Sequence, residues 1–123
     1  MKTIQTKEDV IYLVDSFYEK VNKDELLSPI FNEFAKVDWE SHMPTMYSFW
    51  SSILLGEESY SGRPFPKHLP LPIKQKHFDR WLELFHQTVD ENFKGELAIE
   101  AKSRASNIAQ IFSFKIKSIK GEL

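Results

Sequence analysis

The chain has 123 residues, enough for one domain whose folding buries roughly two-thirds of its surface. It contains no Cys, which excludes disulfides, thiolate zinc sites, Cys-ligated iron–sulfur clusters and Cys nucleophiles. Sixteen basic against 18 acidic residues leave a net charge of −2 with no long basic run, which argues against a nucleic-acid groove or an anionic-membrane patch.

The composition is rich in rings: ten Phe, four Tyr and three Trp make it 14% aromatic. Each ring buries about 150–250 Å² when enclosed, so this area serves a dense core, a flat apolar ligand or a partner interface. The N-terminus starts no apolar stretch of signal-peptide type, and no run approaches the roughly 20 apolar residues of a membrane span. A cytoplasmic protein without membrane or nucleic-acid partners is the expectation.

Apolar residues recur at helical spacing, and no Gly-Gly, Asn-Gly or Asp-Gly pair marks a hairpin. A first helix is predicted from about Thr6, with Thr6 and Asp9 three apart as a capping pair. Val10, Val14, Phe17, Tyr18 and Val21 share its apolar face. Ser28-Pro29 is expected to end or kink this region, because the residue before Pro avoids α geometry. Short helical turns then carry Phe31 and Phe34. Asp38 caps a second helix with two adjacent apolar stripes. One holds His42, Met46, Phe49 and Ile53; the other holds Trp39, Met43, Trp50 and Leu54. Pro44 falls in its first turns and Gly56 is a natural stop.

Four of the six prolines lie between Gly56 and Pro72. They predict a long loop there, and loops of that length are often functional. A third helix follows from near Ile73 to about Phe93, with Phe78, Trp81, Leu82, Phe85 and Val89 inward. After Gly95 a last helix carries Ala98, Ala101, Ala105, Ile108, Ala109, Phe112 and Ile116, whose small members permit close helix approach. The fold class is all-α, one domain over residues 1–123.

Four His without Cys raise the question of metal. No two His stand three or four apart, the spacing that chelates from one helix face. Glu83 and His86 form a single Glu-x-x-His pair, but a di-iron carboxylate site needs a second copy, and Glu83 points away from the apolar face. No G-x-S-x-G, H-E-x-x-H, P-loop or Rossmann glycine pattern is present. What remains is His68, held between prolines in Pro66-Lys67-His68-Leu69-Pro70, either a surface His or a single-His site. His42 lies on an inner stripe, where it finds a core partner or faces a cavity. Tyr18 and Trp81 add a hydroxyl and an indole N–H from two other apolar faces. Together these resemble sparse donors around one apolar pocket.

The residues resemble those of group III truncated haemoglobins, the bacterial two-over-two globins. The matching segments are Phe17-Tyr18-Glu19-Lys20-Val21, Pro29-Ile30-Phe31, Trp39 with His42, Phe49-Trp50, Leu54-Leu55-Gly56 and Tyr60-Ser61-Gly62. Lys67-His68-Leu69, the run from Phe78 to Phe85, and Arg104-Ala105 follow in order. The resemblance spans nearly the whole chain, and the absence of Gly-Gly motifs fits group III. It implies a two-over-two helical sandwich, a single truncated globin domain, and haem b bound through His68 as the axial iron ligand. It also implies Tyr18, His42 and Trp81 as distal residues, and Phe31 packed on the porphyrin. Phe17, Met46 and Phe49 would line the inner wall, with His77, Lys67 and Arg80 as candidate propionate partners. His86 is left as structural or surface.

The function implied is reversible binding of dioxygen, and of NO and CO, at the open axial position of the iron. Two alternatives stand beside it. One is nitric-oxide dioxygenation or peroxide chemistry, which needs a reductase partner. The other is a haem-free helical interaction module whose aromatics are ordinary core.

Overall fold

The computed structural model describes residues 1–56 and 73–119. The proline-rich segment, with the matched Tyr60-Ser61-Gly62 and with Lys67 and His68, lies outside the described residues.

The first helix, α1, spans Lys7–Lys23. Thr6 and Asp9 form the expected capping box: the Asp9 N–H reaches the Thr6 side chain, and the Asp9 carboxylate accepts the Thr6 N–H at 3.1 Å and the Gln5 N–H at 2.9 Å. The helix ends at Lys23, six positions before Pro29, not at it. Asp24 closes it with an extended backbone, and its carboxylate accepts the Leu26 and Leu27 N–H groups, capping the next turn. Pro29 itself is helical and opens a π-helix over Ile30–Phe34. A proline there costs no hydrogen bond, because its missing N–H falls at a helix start.

The second helix, α2, spans Trp39–Leu55, N-capped by Asp38 and ended by Gly56 in the left-handed region at φ 72°. The third, α3, spans Gln75–Asn92, and the last, α4, spans Glu96–Ile119. A feature the apolar periodicity did not reveal joins the N-terminal segment to the connection between α3 and α4. Lys2–Thr3 (β1) pairs in parallel with Phe93–Lys94 (β2), Lys2 opposite Phe93 and Thr3 opposite Lys94. Gly95, at φ 93°, turns the chain out of β2 into α4, with a Cβ position only 3.0 Å from Thr3 Cγ2.

The helices pack in two layers. α1 lies against α2, α3 against α4, and α1 crosses α3 at the centre. That crossing is made of rings. Phe85 of α3 is fully buried between Phe17 (centroids 5.2 Å), Trp50 (4.7 Å, stacked) and Trp81 (5.7 Å, stacked). Ala98, Ala101, Ala105 and Ala109 are buried along α4, which lets it approach α3 closely. An ion pair fastens the corner after α1 to α3: Arg80 Nε donates to Asp24 Oδ1 at 2.7 Å, and its second nitrogen reaches Glu83 at 2.9 Å. Among the described residues no helix is long and apolar enough to cross a membrane.

Candidate functional site

The two layers do not close everywhere. Between α2, α3, α4 and the π-helix lies a cavity of about 460 Å³, within the size range of small-molecule sites. Its wall is predominantly apolar. Phe31 and Ile30 come from the π-helix, Met46, Phe49 and Trp50 from α2, Phe78 and Trp81 from α3, and Ile108 and Phe112 from α4.

Why these side chains meet is a matter of helical phase. His42, Met46 and Phe49 stand four and three apart on α2, so one stripe of that helix faces the opening. Phe78 and Trp81 do the same on α3. The neighbouring α2 stripe, with Met43 and Leu54, packs into the helical core. The two stripes therefore differ in reach: Met46, Phe49 and Trp50 touch both the core and the wall, while Met43 and Leu54 touch the core without lining the cavity.

Three residues with polar tips, Tyr18, His42 and Trp81, line this wall. Tyr18 is buried, with its ring held by Phe17 at 4.9 Å, Phe31 at 5.9 Å, Trp39 at 5.5 Å and His42 at 5.4 Å. Its hydroxyl has no hydrogen-bond partner among the described residues. Burial pushes its pKa well above the ordinary tyrosine value, so it stays a protonated donor at neutral pH. His42 is half-buried and set edge-on between Tyr18 and Trp39. Trp81 lines the wall, stacked on Phe85 and met edge-on by Phe17 at 5.5 Å. Trp39 has a different role. Its indole N–H donates to Asn32 at 2.8 Å and its ring stacks on Phe31, so it fixes the π-helix against α2.

The remaining expectations divide. Phe31, Met46, Phe49 and His77 line the cavity. Phe17 does not. One step along α1 turns it about 100° from Tyr18, into the α1–α3 crossing behind Trp81. His77 is buried at the start of α3, and its Nδ1 accepts the Lys74 N–H at 2.9 Å. Arg80 is absent from the wall; Asp24 and Glu83 engage its guanidinium, which explains why it is not a cavity cation. His86 sits between α3 and α4, within 3.3 Å of the Ser106 hydroxyl and the Lys102 carbonyl, a structural position. The proposed iron ligand, His68, lies outside the described residues. Among the described residues, no three His, Asp or Glu side chains form a metal-holding group.

Sequence periodicity missed part of the site. The polar rim formed by Lys36, Asp38, Ser41 and Thr45 carries no apolar signal, and Leu27, Ile30 and Ile73 lie in short segments outside the four α-helices, where periodicity is too short to read.

A helical pair crossed over a second pair around an aromatic-walled cavity is the architecture of a shortened globin. Comparison with known proteins agrees. A model of the family described as bacterial-like globin matches residues 2–114. The group 3 truncated haemoglobin ctb of Campylobacter jejuni is 38% identical over 110 residues, covering 86% of this chain and 87% of that one. The group 2 truncated haemoglobin YjbI of Bacillus subtilis is 33% identical over 91 residues, covering 69% of this chain and 66% of that one. The crystal structure of the group III truncated haemoglobin from Campylobacter jejuni superposes with a TM-score of 0.84 at 37% identity, covering 94% of this chain and 95% of that one. The chain belongs to the bacterial-like globin family, as a truncated haemoglobin of group III. Family membership implies a haem cofactor.

Proposed function

We propose that the protein binds haem b in the cavity and uses it to take up dioxygen and other small diatomic ligands such as NO and CO. The observation that carries this reading is the convergence of Tyr18, His42 and Trp81, from three helices, on one apolar-walled cavity. The donor set fits the group. A flat apolar macrocycle suits a wall of Phe31, Met46, Phe49, Phe78 and Phe112, and a ligand on its metal needs few polar contacts.

When bound, haem would supply an iron centre able to take one protein ligand and a diatomic ligand. His68 is the residue of this chain assigned to the protein side; a neutral imidazole is a suitable ligand, and Cys is absent. Tyr18 and Trp81 are donors that hold a ligand able to accept hydrogen bonds, dioxygen among them, and discriminate against the less polar CO. His42, at the polar end of the wall, gates or assists. Phe31, Met46 and Phe49 would keep water from the bound group, and His77, lining the cavity at the start of α3, would be a polar neighbour for it. A cytoplasmic setting suits a chain without cysteine, and any turnover draws electrons from a reductase.

Absorption spectra of the oxidised, reduced and CO-treated protein, wild type and His68→Ala, test the assignment. The expected result is a Soret band in wild type and altered or lost coordination in the variant. A colourless chain that takes up no added haemin, or a variant spectrum identical to wild type, overturns it.

A further inference from the structure

Lys36 has a backbone that its side chain does not favour. It is the non-glycine residue with positive φ among the described residues, at 51°. The π-helix requires that conformation to end: the Ala35 N–H bonds the Ile30 carbonyl and the Val37 N–H the Phe31 carbonyl, both at 2.9 Å. This wrap-around closure leaves the residue between them left-handed, a place normally taken by Gly or Asn. A lysine is the poorer choice for the fold alone.

Its location gives a reason for it. Lys36 is exposed yet lines the cavity, at the rim where the π-helix meets α2. Of the cavity-lining residues described, it is the one lysine or arginine. It makes no ion pair among the described residues. The other polar groups of that rim are turned onto their own helix. Asp38 accepts the Glu40 N–H at 3.2 Å, the Ser41 hydroxyl donates to the Asp38 carbonyl at 3.2 Å, and that of Thr45 donates to the Ser41 carbonyl at 3.1 Å. A long cation at the lip of an apolar cavity complements an occupant that is apolar inside and anionic at its edge.

We propose that Lys36 is a binding residue for the carboxylate edge of the cofactor, a cationic anchor held in place at the expense of backbone preference. This rests on the haem reading above, since haem b carries two propionates.

The test compares Lys36→Gly and Lys36→Gln with wild type, each loaded with haemin or with haemin dimethyl ester. The readout is the rate of transfer to an excess of a scavenging apoglobin. Both variants are expected to release haemin about two- to fivefold faster than wild type at low salt. The difference should shrink in 1 M salt, where charges are screened. Release of the dimethyl ester should be the same in all three proteins. Lys36→Gly should also unfold at a temperature a few degrees higher, because glycine adopts positive φ without strain, while Lys36→Gln should not. Wild-type haemin release in both variants, or an equal effect on the ester, overturns the anchor and leaves the haem reading intact. A wild-type chain that binds neither haemin nor its ester overturns that reading and the anchor with it.

Discussion

Replacing Tyr18 by Phe should separate ligand binding from stability, with effects of opposite sign. The substitution removes one oxygen and keeps the ring, which is braced by Phe17, Phe31, Trp39 and His42 at centroid distances of 4.9–5.9 Å. The oxygen removed makes no hydrogen bond among the described residues. A hydroxyl that opens on the cavity costs the fold less than the roughly 1–3 kcal/mol of a fully buried group without a partner. Losing it should therefore leave the protein at least as stable as wild type, or more stable by up to about 1 kcal/mol. For a ligand that accepts a hydrogen bond the consequence is reversed. A charge-assisted bond contributes about 1.5–3 kcal/mol, so dioxygen should leave about 10- to 150-fold faster. The loss should be flat through the neutral range, because burial keeps the Tyr18 hydroxyl protonated well beyond it. Stopped-flow displacement of dioxygen and urea unfolding of the ferric protein give the two numbers. Unchanged dioxygen release would refute the distal donor. A stability loss above about 1 kcal/mol would show that the hydroxyl holds the fold rather than a ligand.

Other consequences concern the frame around the cavity. Asp24→Ala removes the acceptor of two backbone N–H groups and of the Arg80 Nε–H, and should cost about 2–3 kcal/mol in urea unfolding. Arg80→Ala should cost less, since that side chain is about a third exposed. The Asp9 carboxyl is held down at about 2, against an ordinary 3.8, chiefly by the Lys2 ammonium and then by the Gln5 N–H. Its folded value lies below its unfolded one, so this stabilisation, reduced to about 1 kcal/mol by screening at the exposed Lys2, is present above pH 4 and fades as pH falls through 2. Urea unfolding should show Asp9→Asn less stable than wild type at pH 6, with the gap closing near pH 2. Gly56→Ala meets no atom within 4 Å and should cost only the left-handed penalty of about 1 kcal/mol, whereas Gly95→Ala also meets Thr3 Cγ2 at 3.0 Å and should cost more. Adding Thr3→Ser, which removes that methyl, should recover the excess in thermal unfolding; no recovery would dismiss the steric account.

The sequence by itself determined the helices that have strong phase and chemical caps. Thr6 with Asp9, Asp38 and Gly56 mark real boundaries, because capping acts between residues a few positions apart. The same phase put His42, Met46 and Phe49 on one stripe. It could not tell which of two adjacent apolar stripes faces a helix and which a cavity, because both are apolar and only the neighbours differ. Tertiary structure made that decision. It turned Phe17 into the α1–α3 crossing and left Tyr18 on the wall. It bound Arg80 to Asp24, 56 positions away in the chain, rather than to a cofactor. It also moved the end of α1 from Pro29 to Asp24, where a carboxylate capping the next turn outweighs the proline. Short-range spacing fixes which side of a helix is apolar. What that side touches depends on contacts between residues far apart in the chain, which no local pattern encodes. Lys36 stands at that boundary, an ordinary surface lysine in sequence and a strained cation at the cavity rim in the fold.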